Sequence, residues 1–242
     1  SRGGEGCVVA RRFDDAQWDV SGEESVRGGV GYGGGELSVH GETVYFAAAD
    51  GRLYRVDLSE GWPTPITPDW EGGAASPAVD PQGDRALFVH TDGQEDCLAV
   101  VDTEGANWPQ KLVTGSDFYM QPTWGPDGEQ IAWIEWDHPN MPWDETRLCT
   151  AEVRRAHGRL TIAEQRSVRS PEQTSIFGPT FSPDGEHLAY ASDEDGWWHL
   201  YVRNRQTAET RRLTEGEFEM AGPAWVQGMR WFDWDPSGRR LL

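Results

Sequence analysis

The nine residues WDHPNMPWD, Trp136 to Asp144, hold two tryptophans, two aspartates, two prolines, a histidine, an asparagine and a methionine. An aspartate beside a histidine suits an ion pair or proton handling, and two indoles suit apolar recognition. Pro139 and Pro142 bias His138 and Met141 towards extended backbone, so the loop is preset in shape. Asp137 and Asp144 are placed to hold backbone amides at its turns. Two roles remain open for such a loop. Trp136 and Trp143 either clamp a long hairpin onto its own sheet or anchor another body, and His138 is either an ordinary hydrogen-bonding histidine or part of a contact site.

Elsewhere the residues point away from chemistry of their own. Cys7, Cys97 and Cys149 lack CxxC spacing and sit in apolar or strand-like stretches, as small buried thiols of a reducing, cytoplasmic compartment do. No His/Cys/Asp group has metal-ligand spacing, so neither metal nor other cofactor is expected. The glycine-rich stretch Gly28 to Gly35 precedes a strand pattern and opens no helix, which argues against a phosphate cradle. The 41 acidic residues single out no pair of carboxylates spaced for glycoside cleavage.

The net charge of −20, with Lys111 the single lysine, repels nucleic acid and anionic membranes. It fits either a solvated acidic surface or a halophile-like, high-salt cytoplasm. The longest apolar run, Val44 to Ala49, falls far short of the roughly 20 residues of a membrane helix.

The elements that must position the loop emerge from an internal repeat. SPAVDPQGDRALFV from Ser76, QPTWGPDGEQIAWI from Gln121 and GPTFSPDGEHLAYA from Gly178 share one grammar: a proline, an apolar residue, a tight turn and an alternating strand. ELSVHGETVYFAAA from Glu36 is a degenerate earlier copy, and the segment from Gly222 a later one. Turn glycines fall at 41, 83, 128, 185 and 238, with spacings of 42 to 57 residues. In the last full copy Leu188, Tyr190 and Ser192 alternate with Ala189 and Ala191. A second turn then leads to a third strand (RLYRVDL, CLAVVDT, HLYVRNR), and a fourth ends in a Leu/Ile-Thr signal.

Four short antiparallel strands per repeat specify an all-β fold, a β-propeller of four-stranded blades. With 29 Gly and 15 Pro, few windows could hold a helix of three turns, and no 3.6-residue apolar stripe survives the turns. The blades number about four whole ones, with partial blades at both ends: an outer pair in Gly6 to Val20 and an inner start that stops at Leu242. Residues 1–242 therefore read as one incomplete propeller domain, a fragment.

WDHPNMPWD, the VGYGGGELSV stretch holding Tyr32 to Gly35, FAAADGRLYRVDL, SPDGEHLAY and GPAWVQGMRWFDW together resemble, in that order, the N-terminal propeller of the prolyl oligopeptidase family of serine peptidases. The nearest branch is similar to acylaminoacyl-peptidase and dipeptidyl-aminopeptidase-like enzymes. One departure is that relatives carry a basic and acidic pair before YGGG, where this chain has VRGGVGYGGG. The resemblance implies a following α/β-hydrolase domain with a Gly-x-Ser-x-Gly nucleophile elbow. That motif is absent here, and the six histidines (His40, His90, His138, His157, His187, His199) lie in turn or strand patterns, so this stretch alone carries no catalytic residues and its standing as an enzyme is left open.

In a meander, the connection between strands two and three leaves the sheet at the same end as the link to the next blade. WDHPNMPWD thus shares a face with GYGGGE, GSDFYMQP, EQTSIFGP and GEFEMAGP. The expected substrate or interdomain face comprises Trp136, Asp137, His138, Asn140, Met141, Trp143, Asp144, Tyr32, Phe118, Tyr119, Phe177, Phe218 and Glu219. Met120, Ile176 and Met220 accumulate beside them, and Glu217 with Glu219 offers carboxylates for a substrate amino terminus. The resemblance makes the covering partner the hydrolase domain and the ligand a short peptide, with this chain gating access. The alternative is a stand-alone TolB-like propeller that binds another protein.

Overall fold

The computed structural model describes residues 3–13, 16–59, 61–156 and 158–242, and among them every regular element is a strand. His157 falls outside the described residues. A short pair, β1 (Val9–Arg11) and β2 (Gln17–Asp19), precedes four antiparallel sheets of four strands. The first sheet contains β3 (Leu37–His40), β4 (Thr43–Ala47), β5 (Leu53–Asp57) and β6 (Thr64–Pro65). The second contains β7 (Gly73–Val79), β8 (Arg85–Thr91), β9 (Asp96–Asp102) and β10 (Gln110–Val113). The third contains β11 (Phe118–Trp124), β12 (Gln130–Trp136), β13 (Arg147–Ala156) and β14 (Arg159–Arg169), and the fourth β15 (Ile176–Phe181), β16 (His187–Ser192), β17 (His199–Asn204) and β18 (Thr210–Arg212). Each is a meander in sequence order. Beyond β18 the chain adds a bridge between Trp234 and Leu241. This is an incomplete propeller, as the repeat predicts.

The repeat's turn chemistry is visible in the backbone. Gly41, Gly83, Gly128, Gly185 and Gly238 all take positive φ, between 59° and 78°, which a side chain disfavours. The aspartates of the Pro-Asp-Gly turns cap the returning strand: Glu129 N donates to Asp127 Oδ1 (2.9 Å) and Glu186 N to Asp184 Oδ1 (3.0 Å).

Four apolar layers separate successive sheets. Strand alternation feeds them: Ile131 and Trp133 of β12 enter the layer shared with β7–β10, while Ala132, Ile134 and Trp136 enter the layer shared with β15–β18. The sequence pattern put Leu188, Tyr190 and Ser192 on one face of β16 and Ala189 and Ala191 on the other. All five are buried, because a blade is covered on both faces. Alternation here distributes bulk between two neighbours and does not separate core from solvent. Cys97 and Cys149 lie in these layers, whereas Cys7 is half-buried near β1. Burial pushes the Cys97 thiol up to about 11 and raises that of Cys149 as well. No helix of the described residues is long and apolar enough to cross a membrane.

Three inner strands break their ladders at equivalent places: between Ala75 and Ala78 in β7, Met120 and Thr123 in β11, and Phe177 and Thr180 in β15. The residue at each break, Ser76, Gln121 or Gly178, has left-handed backbone with φ of 52°, 54° and 67°, and Gly35 before β3 matches them at 61°.

If the interblade layers carry the stability, Phe88→Ala, at a side chain fully buried between sheets one and two, should cost about 3–5 kcal/mol. Trp62→Ala, at an exposed indole, should cost no more than about 0.5 kcal/mol. Urea unfolding of both variants measures the difference.

Candidate functional site

Phe118 opens β11 and Trp136 closes β12, and the two are register partners whose rings stack at 5.1 Å. The connector before β11 and the loop after β12 therefore leave the sheet at one end, as the meander argument requires. Side chains lock them together. Asp117 N donates to Asp137 Oδ1 (3.0 Å), and His138 N donates to Asp117 Oδ2 (2.8 Å), which also lies 3.1 Å from His138 Nδ1. Arg147 Nη2, one turn further on, donates to Asp137 Oδ2 (2.7 Å) and Ser116 Oγ (3.0 Å). Behind it, buried Glu135 accepts from Trp133 Nε1 at 2.6 Å. The His138 contacts hold the Asp117 carboxyl below the usual aspartate range.

The remaining connections converge on the same loop. Tyr32 sets its ring edge-on to Phe118 (5.7 Å) and Trp136 (5.3 Å), and its hydroxyl donates to Met141 Sδ at 3.5 Å. Burial raises the Tyr32 phenol above its ordinary value, with the Asp144 and Asp96 carboxylates adding to the effect. Met141 N donates to Asp144 Oδ2 (2.9 Å), so the Asp144 carboxylate braces a turn, whereas at Asp137 the turn is closed by the main-chain carbonyl, which accepts from Asn140 N (3.1 Å). Ser175 Oγ donates to Pro142 O (2.5 Å) and Gln173 N to Glu145 Oε2 (3.0 Å), which ties the loop to the link before β15. Trp143 packs against Trp225 with centroids 4.7 Å apart and the rings tilted by 33°. The His138–Pro139 peptide is cis.

The structure thus gathers Tyr32, Phe118, Trp136, Asp137, His138, Asn140, Met141, Trp143 and Asp144 in one place, and it corrects the expected exposure of several. Trp136 is 1% exposed, a clamp within its own blade layer. Tyr119 and Phe177 are buried too, as are Met120 and Ile176, because these inner-strand residues point between blades once the chain has left the rim. The accessible apolar surface at this end includes Trp143 (37% exposed), Trp225 (57%), Met141, Val226, Trp197, Phe218 and Met220. Phe218 lies over His199 at 6.4 Å, away from the Trp143 cluster's own contacts. Glu219 has its Oε2 engaged by Trp198 N (2.7 Å), so it props its own loop, while Glu217 is exposed.

Sequence reasoning passed over Asp117, Arg147 and Trp225. Asp117 is one of 41 acids and carried no distinguishing signal. Arg147 follows the last loop aspartate, Asp144, by three positions, a faint cue for an internal partner, and Trp225 lies in the later copy of the repeat as one of 13 tryptophans. Among the described residues, the side chains of Asp184, Glu186 and His187 bring metal-ligating atoms within 4.8 Å of one another. They sit in the Pro-Asp-Gly turn at the opposite end of the blade, where Asp184 Oδ1 already accepts from Ser182 Oγ at 2.6 Å. The rim itself offers indole and thioether surface bordered by carboxylates, a chemistry of recognition.

A family model described as the TolB beta propeller domain, PD40, matches residues 84–239. Among solved structures, a Mycobacterium tuberculosis puromycin-hydrolyzing peptidase superposes with a TM-score of 0.83 at 26% identity, over 96% of this chain and 38% of that one. A puromycin hydrolase gives 0.80 at 29% identity, over 94% of this chain and 38% of that one. A putative TolB from Agrobacterium tumefaciens gives 0.63 at 12% identity, over 86% of this chain and 73% of that one, a likeness of fold alone. No curated protein matches the chain in sequence. The chain spans well under half the length of the two hydrolases it matches.

Two outcomes test this geometry. Trp136→Ala should cost about 3–5 kcal/mol, and Trp143→Ala less than about 1 kcal/mol, read by chemical unfolding. Asp117→Ala should lower the melting temperature by an amount that depends on pH in a defined direction. A carboxyl with a depressed folded pKa contributes fully above its unfolded value, about 3.9, and loses that contribution as pH falls through the lower folded value. The gap between the parent chain and the variant should be constant from pH 7 to about 4 and shrink below it.

Proposed function

The chain belongs to the family of TolB-type β-propeller domains, and from that membership we propose that it is the substrate-gating propeller of a serine peptidase acting on short peptides. Its likeness to the N-terminal propeller of puromycin-hydrolysing peptidases of the prolyl oligopeptidase family matches the resemblance read from the sequence. One observation carries the reading. Nearly the whole chain superposes at 26–29% identity on proteins named for hydrolysis, while filling 38% of each of the two described above. The remaining length of such a protein has room for the α/β-hydrolase domain.

The rim supports the same reading. A loop built from two prolines, two braced aspartates and a shared arginine is rigid, and it presents Trp143 and Met141 outwards with Trp225 alongside. Apolar surface on an acidic body is the composition of a covered face. In this reading the hydrolase domain covers it, a short peptide reaches the space between, and folded proteins are excluded by size. The chain supplies no nucleophile and takes part by exclusion and positioning. Free, largely buried cysteines accord with a cytoplasmic enzyme.

The decisive test is to read the codons beyond Leu242 and assay the whole polypeptide. A Gly-x-Ser-x-Gly elbow, labelling by a fluorophosphonate and hydrolysis of short peptide amides are expected. A stop codon soon after the ring closes would instead favour a TolB-like protein-binding module. In the active polypeptide, Trp143→Ala should lower kcat/KM by about tenfold, or 1.4 kcal/mol. Its melting temperature should move by less than about 2 °C.

A further inference from the structure

Tyr32 and Trp136 carry two hydrogen-bond donors that the rim leaves poorly satisfied. Trp136 is 1% exposed, and its Nε1 has no hydrogen-bond partner among the described residues. Buried donors are nearly always paired, so one that is not calls for an explanation. Burial is what raises the Tyr32 phenol, and the Trp136 N–H, the next influence, lies close enough to the phenol oxygen to oppose that rise without completing a bond. Tyr32 directs its own proton at Met141 Sδ, 3.5 Å away, and a thioether is a weak acceptor. Two good donors thus stand in series on rings 5.3 Å apart.

The backbone holds this pair still. Gly33, Gly34 and Gly35, directly after Tyr32, take left-handed φ of 63°, 77° and 61°. Gly33 N donates to Val30 O (2.8 Å), and Gly34 bridges to Gln227. Phe118 backs both rings, stacked on Trp136 and edge-on to Tyr32. Met141, by contrast, is 44% exposed, and its unbranched side chain changes shape readily. The weak acceptor is therefore the part that can leave.

Its replacement must accept strongly and carry no charge. The Asp144 and Asp96 carboxylates already act on the Tyr32 phenol, and Asp117 and Asp137 stand at the same rim, so an anion would be repelled. A peptide carbonyl oxygen meets both conditions. Once it accepts the Tyr32 proton, the polarised phenol oxygen becomes a better acceptor for the Trp136 N–H, and the two bonds strengthen each other.

We propose that Tyr32 Oη donates to a backbone carbonyl oxygen of the peptide substrate in place of Met141 Sδ, while Trp136 Nε1 donates to Tyr32 Oη. The contact rests on the gating function proposed above and names the substrate atom that the rim holds.

Hydrolysis of trialanine p-nitroanilide by the whole polypeptide tests it, beside two analogues in which one or the other internal carbonyl oxygen is replaced by sulfur, a poorer acceptor. Tyr32→Phe, which keeps the ring, should raise KM for the oxygen substrate by about three- to tenfold, the factor of one net hydrogen bond, and leave kcat within about twofold. One sulfur analogue should show that factor already in the parent enzyme, and Tyr32→Phe should add nothing to it. An unchanged KM, or the same loss on all three substrates, would overturn the contact, since the hydroxyl would then act through packing alone. A polypeptide that hydrolyses no peptide removes the gating function and leaves the contact to a direct reading. In that event the isotope-labelled chain is titrated with trialanine amide to about 10 mM, enough to fill most of a site with Kd near 1 mM. The Trp136 indole N–H resonance should move downfield, and Tyr32→Phe should abolish the movement; a resonance that stays in place would overturn the contact.

Discussion

Left-handed backbone at the inner edge of each blade governs the rest of this molecule. Ser76 and Gln121 hold φ near 50° although each precedes a proline and neither is glycine, a conformation of order 1–3 kcal/mol above the ordinary wells. The break turns one amide per strand away from its own sheet, and a buried amide must find a partner. Ser76 N reaches Gly35 O (2.7 Å), Gly178 N the Gln121 side chain, and Gln121 N the Gln227 side chain. The blades are thus joined around the axis by hydrogen bonds that exist only because each sheet is interrupted. Replacing either glutamine by an apolar residue leaves several groups orphaned at once, so the axis tolerates change poorly.

Away from the axis, blades hold one another by burial and, at the end remote from the rim, by arginine. Arg55 of the first sheet reaches Thr103 O (3.3 Å) and pairs with Glu104 of the second. Arg155 of the third sheet pairs with buried Asp80 and donates to Gln82 Oε1 (3.0 Å) in the second. Arg205 of the fourth donates to Gln130 Oε1 (3.1 Å) in the third. The guanidinium fork serves two acceptors of one neighbouring turn at once, as Arg55 and Arg155 do, which an ammonium does less well. That geometry gives a structural reason, besides solvent conditions, for a chain whose basic residues are all arginine save Lys111.

The rim has a different economy of forces. Its loop is built to keep one shape: Asp137, Asp117 and Arg147 share hydrogen bonds across two connections, and the aromatic stack of Phe118, Trp136 and Tyr32 backs them. The exposed charges contribute little stability individually, but together they fix where Trp143 and Met141 emerge. Rigidity of this kind suits a surface that must present the same gap to each ligand, since a floppy rim would pay for ordering at every encounter.

Much of the architecture was legible in the residues. Pro-Asp-Gly turns and alternating strands at a regular period dictate antiparallel meanders, because proline, glycine and strand alternation act through local backbone sterics. The common end of WDHPNMPWD and GSDFYMQP followed from meander topology alone. What local rules do not encode is which partner a side chain meets across blades. Alternation in β16 could not reveal that both faces are covered, nor that Tyr119, Phe177 and Trp136 are interior. Asp117 and Arg147 became a lock, and Gln227 a bridge between the inner strands of two blades, only through contacts between residues as far as 151 positions apart, as between Ser76 and Gln227. The sequence by itself determined the strands, their turns and the end of the sheet from which each loop departs. Only the packing of blades decided exposure and partners, because those depend on distances that no local interaction sets.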